Sequence, residues 1–194
     1  MKRRYRQTRR AETTAATTQR IVDAAIGLHM TVGPAQTTIS AIAEQAGVER
    51  LTVYRHFPGE DDLLRACVTH GWERFPPPDH RAWTKIGDPE QRLRTALTEL
   101  YSYYGAAGDA LLVIVRDFPS VPALAALNAP HLARWDEMRD VLARGWNRRG
   151  LRRQALLAAI GHSLDLSTWE SLVRRQGLPD AEAVELLLGM VHGV

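Results

Sequence analysis

The chain has one cysteine, Cys67, so an internal disulfide cannot form and an extracellular cystine framework is excluded. That scarcity points to a reducing compartment, and the expected location is the cytoplasm. Long apolar runs are missing as well. The longest, such as Ala110 to Val115, fall far short of the ~20 residues that span a bilayer, and no apolar stretch follows the basic N-terminal residues. Neither a membrane span nor a secretion signal is expected. The β-branched alternation of a half-buried strand is also absent. Signs of catalysis are thin. The histidines at 29, 56, 70, 80, 131, 162 and 192 show no paired helical spacing for a metal. Gly161-His162-Ser163-Leu164-Asp165 lacks the second glycine of a nucleophile elbow and lies in a helical pattern. The expectation is a protein that is not an enzyme and uses no cofactor or metal.

What the chain does hold is charge of one sign in one place. Its net charge is only +3, yet Lys2, Arg3, Arg4, Arg6, Arg9, Arg10 and Arg20 face a single acid, Glu12, within the first 20 residues. Such a segment beside a mildly acidic remainder suits phosphates, because each one neutralised releases condensed counterions. A solvated tail that aids solubility is the other reading.

Apolar residues recur at helical period nearly throughout, which predicts an all-α protein. The spacing predicts a first helix over about Ala15 to Met30, closed by Gly33-Pro34, and a second over Thr38 to Gln45 with Thr38 as its cap and Gly47 as its stop. A third spans about Arg50 to Phe57 and ends at Pro58-Gly59. A fourth opens on Glu60, Asp61 and Asp62, acids suited to the positive end of a helix dipole, and runs to about Phe75. Its apolar stripe is Leu64, Cys67, Val68, Gly71, Trp72 and Phe75, which makes Cys67 a core residue rather than a redox sensor. Pro76-Pro77-Pro78 then breaks the chain. The expected division is a flexible basic arm over 1–14, a domain of short helices over 15–75, and a further helical domain over 76–194. Within the last, helices are expected at about Pro89–Gly105, Asp109–Arg116, Pro130–Arg148, Arg152–Arg175 and Pro179–His192.

Two short helices about a glycine turn at Ala46-Gly47-Val48 have the dimensions of a helix-turn-helix, whose second helix enters the major groove. On the third helix Val53 and Phe57 face the core. Leu51 with Arg55, and Thr52 with His56, form the opposite surface, flanked by Arg50 and Tyr54. A guanidinium suits guanine edges, and a hydroxyl with a methyl suits thymine or phosphate. A merely solvated face is the alternative.

The run TISAIAEQAGVERLTVYRHF from Thr38 to Phe57, followed by PGEDDLL, resembles the DNA-binding signature of the TetR family of repressors, over about residues 15–75. The resemblance implies that Thr38 and Ser40 open the helix that touches the DNA backbone and groove edge. It implies that Arg50, Leu51 and Thr52 read bases, that Tyr54 and His56 meet phosphates, and that Arg9 and Arg10 follow the backbone or enter the adjacent minor groove. Two positions depart from many members: Leu51 stands where glycine or proline is common, which suggests a thymine-methyl contact, and Glu60 stands where a phosphate-binding lysine is common. The implied partners are double-stranded operator DNA, a small-molecule effector of unknown identity, and a second copy of the chain docked through about 152–175 and 179–192.

For the effector, Tyr101, Tyr104, Phe118, Trp135, Met138, Trp146 and Trp169 could line an apolar cavity, with His162 and Asp165 as its polar groups. Core filling is the competing role for these aromatics. The resemblance implies a repressor released by its effector; a regulator without an effector, or an activator, stays open.

Overall fold

The structure, a computed structural model, describes residues 2–194, with side chains described for 8–59 and 61–194. The side chains of Lys2, Arg3, Arg4 and Arg6 in the basic segment, and of Glu60, lie outside the described residues. The described residues contain α-helices and no strand. They divide into two compact units. Unit 1 comprises residues up to Phe75 together with Ala110–Leu127; unit 2 comprises Pro76–Asp109 and Asn128–Val194.

In unit 1, α1 spans Lys2–His29. The segment expected as a flexible arm is therefore helix. Residues 2–26 contain neither glycine nor proline, and their arginines, alanines and glutamines are good helix formers. Thr13, Thr14, Thr17 and Thr18 donate their hydroxyls to the carbonyls four residues back, which settles those polar groups within the helix. A 3₁₀ turn at Pro34–Gln36 leads into α2, Ile39–Ala46, capped by Thr38, whose hydroxyl accepts from Ala41 N at 3.1 Å. Gly47 sits left-handed at φ 64°, the conformation a tight helix stop requires. Then come α3, Arg50–His56, and α4, Glu60–Arg74, where the Asp62 carboxylate accepts from Gly59 N at 3.2 Å.

The core beneath these helices is aliphatic and small: Ile21, Val22, Ala24, Ala25, Ile26, Ile42, Ala43, Ala46, Val53, Leu63 and Cys67. Burial pushes the Cys67 thiol up to about 12, so it packs as a small apolar group and does not act as a thiolate.

Unit 2 holds α5, His80–Trp83, which the sequence reading did not anticipate. Next is α6, Pro89–Arg116, a single helix where two were expected, whose residues after Asp109 belong to unit 1. The Gly105 to Gly108 stretch that suggested a break is held helical by its alanines and by packing: Trp169 lies where a β-carbon on Gly108 would come within 2.5 Å of its ring. Then α7, Pro122–Leu142, carries Pro130 in its interior rather than starting there, at the cost of one backbone donor.

The segment expected as one helix over Arg152–Arg175 is broken at Asp165, which is extended (φ −72°, ψ 135°). It separates α8, Gly150–Leu164, from α9, Leu166–Trp169, and a π-helical turn follows over Glu170–Arg175. The final helix is α10, Asp180–His192.

The core of unit 2 is built on Leu93, Leu97, Leu100, Tyr101, Tyr104, Met138, Leu142, Leu156, Ile160 and Trp169. Arg92 is buried there without a carboxylate. Its guanidinium donates to the carbonyls of Ile86 and Gly87 ahead of α6 and of Val141 and Arg144 at and just past the end of α7. Residues Ala110–Leu127, expected within the C-terminal helical segment, group with unit 1.

Candidate nucleic-acid interface

The core holds α3 from one side only. Val53 is fully buried, whereas Leu51 is 68% and Tyr54 43% exposed, and Arg50 and Arg55 are exposed. This face therefore sets an aliphatic branch and a phenol beside two guanidinium groups. Thr52 is half-buried, and its hydroxyl accepts from Arg55 Nη2 at 3.0 Å. Thr38 and Ser40 are exposed at the start of α2. The Thr38 oxygen is engaged as a cap, but its proton remains available to a phosphate oxygen.

His56 differs from the expectation of a simple phosphate contact. It is half-buried, and its Nδ1 lies 2.9 Å from Thr18 Oγ1. The single Thr18 proton goes to the Thr14 carbonyl at 3.0 Å, so in this contact the ring Nδ1 donates. In the neutral ring Nε2 is then a lone pair, and only the imidazolium could donate to a phosphate. Arg9 and Arg10 are exposed on α1. Being helical, this segment is ~10 Å wide and does not fit a minor groove ~6 Å wide.

Two devices that position the motif were not read from the sequence. One is Thr18, which joins α1 to the end of α3 across 38 residues. The other secures the turn ahead of α2. Asp117 is buried and accepts from Ala35 N at 2.9 Å, while Arg116 bridges Asp117 at 2.9 Å and donates to the Val32 carbonyl at 3.0 Å. The Arg116 hydrogen bond holds the Asp117 carboxyl below its usual range. Gly33, at φ 99°, is obligatory here, because a β-carbon would overlap both the Asp117 carboxylate and the Arg116 guanidinium. His29, at the end of α1, is also enclosed, and desolvation lowers its pKa from 6.5 to about 4 against the opposing pull of Asp117. No local pattern announces contacts between residues more than eighty positions apart.

The residues expected to meet a small molecule separate sharply. Tyr104 OH donates to the Leu164 carbonyl at 2.7 Å and accepts from Trp135 Nε1 at 3.0 Å, and Trp146 Nε1 donates to the Leu142 carbonyl at 3.0 Å. Those three are saturated within the fold. Met138 is fully buried, and Phe118 belongs to unit 1 while the others belong to unit 2. His162 and Asp165 are exposed, which corrects the expectation that they are the polar groups of a buried cavity. The reason is local: Asp165 caps α9 by accepting from Ser167 N at 2.7 Å, and His162 lies against the Thr168 hydroxyl at 3.2 Å. By contrast Tyr101 OH and Trp169 Nε1 are buried with no hydrogen-bond partner, and their rings flank Tyr104 with centroids 6.3 and 5.9 Å from it.

An N-terminal helix-turn-helix joined to further helices defines an all-α protein of the TetR-like class. Comparisons with known proteins agree. Residues 21–67 match the family model of bacterial regulatory proteins of the tetR family. A stretch of 76 residues is 37% identical to the HTH-type transcriptional regulator SrpR of Pseudomonas putida, covering 36% of each chain. A stretch of the same length is 37% identical to the uncharacterized HTH-type transcriptional regulator TtgW, also of Pseudomonas putida, covering 36% of this chain and 57% of that protein. The match therefore spans about a third of the first relative and little over half of the second.

Among solved structures, a TetR-like transcriptional regulator from Rhodococcus sp. RHA1 superposes with a TM-score of 0.59 at 20% identity, over 91% of this chain and 93% of that one. The fatty acid degradation regulator FadR from Bacillus halodurans gives 0.58 at 18% identity, over 91% and 95%. These share the fold. Residues 21–67 are thus similar to bacterial regulatory proteins of the tetR family, and the fold is that of TetR-like regulators.

Proposed function

We propose that this protein is a sequence-specific DNA-binding transcriptional regulator, a dimeric repressor that leaves its operator when a small molecule occupies unit 2. The observation that carries the reading is α3: a short helix fixed from behind by Val53 and presenting Arg50, Leu51, Tyr54 and Arg55 outward after a tight glycine turn. Those groups match the chemistry of base edges and phosphates. Such a regulator works where the DNA is, in the cytoplasm. Among the described residues no helix is long and apolar enough to cross a membrane.

Dimerisation is supported by α8 and α10, which pack on one another yet leave Leu151 82%, Leu186 53% and Met190 36% exposed. A second copy covering these residues would set two reading heads about 34 Å apart on a palindromic site. The effector reading is supported by Tyr101 OH and Trp169 Nε1, two buried groups that a bound acceptor would satisfy.

Selection of bound duplexes from a random pool tests the main reading. An enriched palindrome is the expected result, and no enrichment at low salt with the protein folded would overturn it. A compound screen for release from the selected duplex then tests the effector. A hit whose potency drops in both Tyr101→Phe and Trp169→Phe supports the assignment, and hits unaffected by either change refute it.

A further inference from the structure

The reading face of α3 contains more order than a set of exposed side chains. Leu51 and Arg55 are one turn apart, and Thr52 lies on the flank of Arg55 away from Leu51. Of the three, Thr52 is the one partly enclosed, and its hydroxyl accepts from Arg55 Nη2. The guanidinium is thereby drawn back along the helix by most of a turn, to Thr52, with donors left over beyond the one that Thr52 engages. Leu51 has no polar atom for a phosphate, and 68% of its surface is open. The DNA feature that matches an aliphatic branch is the thymine C5-methyl, and the feature that matches a planar fork of donors is the O6 and N7 edge of guanine. Side chains one helical turn apart are about 5–6 Å from one another, a reach of one or two base-pair steps at ~3.4 Å each.

We infer that Leu51 and Arg55 form a paired reader of a thymine and a guanine one or two steps apart in the major groove, and that Thr52 is the positioning residue that aims Arg55 at the guanine. The inference rests on the DNA-binding reading above and adds to it what the operator must contain. All three side chains lie at the surface side of α3, so their replacement leaves the Val53 anchor in place.

Base analogues give the test, on the duplex selected by the wild-type protein. Thymines are replaced one at a time by deoxyuridine, which lacks only the methyl, and guanines by 7-deazaguanine, which lacks only the N7 acceptor. In the wild type one deoxyuridine position should weaken binding about three- to fivefold, the worth of one buried methyl. One 7-deazaguanine position within two steps should weaken it about tenfold. The Leu51→Ala protein should lose the first penalty and keep the second. Arg55→Lys should lose the second and keep the first. Thr52→Val should lose most of the guanine penalty, and Thr52→Ser should restore it, an outcome that a purely structural role for the residue does not give.

If Arg55→Ala instead weakens all duplexes equally and lowers the salt slope by about one, Arg55 is a phosphate clamp and the inference fails. A selected duplex indifferent to every analogue overturns it while leaving DNA binding intact. Failure to select any duplex overturns both.

Discussion

The two units use polar groups in opposite ways. Unit 1 buries small aliphatic residues and keeps its reading groups outside on α3, so that most of its chemistry faces outward. Unit 2 buries large aromatics that carry polar atoms, of which Tyr104 and Trp146 are matched and Tyr101 and Trp169 are not. An aliphatic core asks only for volume. An aromatic core with hydroxyl and indole donors asks for partners too, and unmatched donors are costly unless something else supplies an acceptor. One region is therefore built as a scaffold for a surface, and the other as an interior with a demand left open.

That contrast can be broken by substitution. The largest effect is expected at Gly33→Ala in unit 1, about 3 kcal/mol less stable by urea unfolding, because φ 99° is strained for alanine and the Asp117 carboxylate is pushed off Ala35 N. An unchanged midpoint would show that the polar clasp around this turn contributes nothing.

Next comes acid. His29 titrates at about 4 in the fold and near 6.5 when unfolded, so the unfolded chain takes up the proton first. Stability contributed by the neutral ring is complete above pH 6.5 and is lost as pH falls from there to about 4, about 3 kcal/mol at about 1.36 kcal/mol per unit. Replacing His29 with Gln should flatten that stretch of the stability curve, and an equally steep curve would assign the loss to other groups.

In unit 2, Gly108→Ala should cost about 2 kcal/mol, since the new methyl meets the Trp169 ring at 2.5 Å. Near-ultraviolet circular dichroism, which reports the indole packing, should change with it; a wild-type spectrum and midpoint would show the ring free to move aside.

The smallest and most discriminating pair is at the tyrosines. Tyr104→Phe should destabilise by about 1–2 kcal/mol, because it removes the hydroxyl that donates to the buried Leu164 carbonyl. Tyr101→Phe should instead stabilise by up to about 1 kcal/mol, because it removes a buried hydroxyl that nothing satisfies. The same sign for both would end the distinction between matched and unmatched groups.

How much of this was legible follows from the distance over which each cause acts. The bounds of α2 and α3 were readable because Thr38, Gly47 and Pro58-Gly59 act on their immediate neighbours. The start of α1 was misread because a run of charge was taken for an irregular arm, although its residues are strong helix formers. The candidate reading residues were legible as a face of a helix, but the engagement of His56 Nδ1 by Thr18 was not. In the C-terminal half, Gly105, Gly108 and Pro130 carry local signals for a break that packing overrides. His162 and Asp165 looked like cavity groups only until the chain turned at Asp165 and spent that carboxylate on a helix cap.

The sequence by itself determined the all-α class and the helix-turn-helix, because helical period, caps and glycine stops are local properties of the chain. Only the tertiary structure decided that Ala110–Leu127 packs with the N-terminal helices, that Thr52 holds Arg55, and that Tyr101 and Trp169 keep unmatched donors. The first and last of these depend on residues brought together from distant positions. The Thr52 to Arg55 contact depends on which of several rotamers the surroundings leave open. Pairing and rotamer choice are set by the whole fold at once, so no window of sequence contains them.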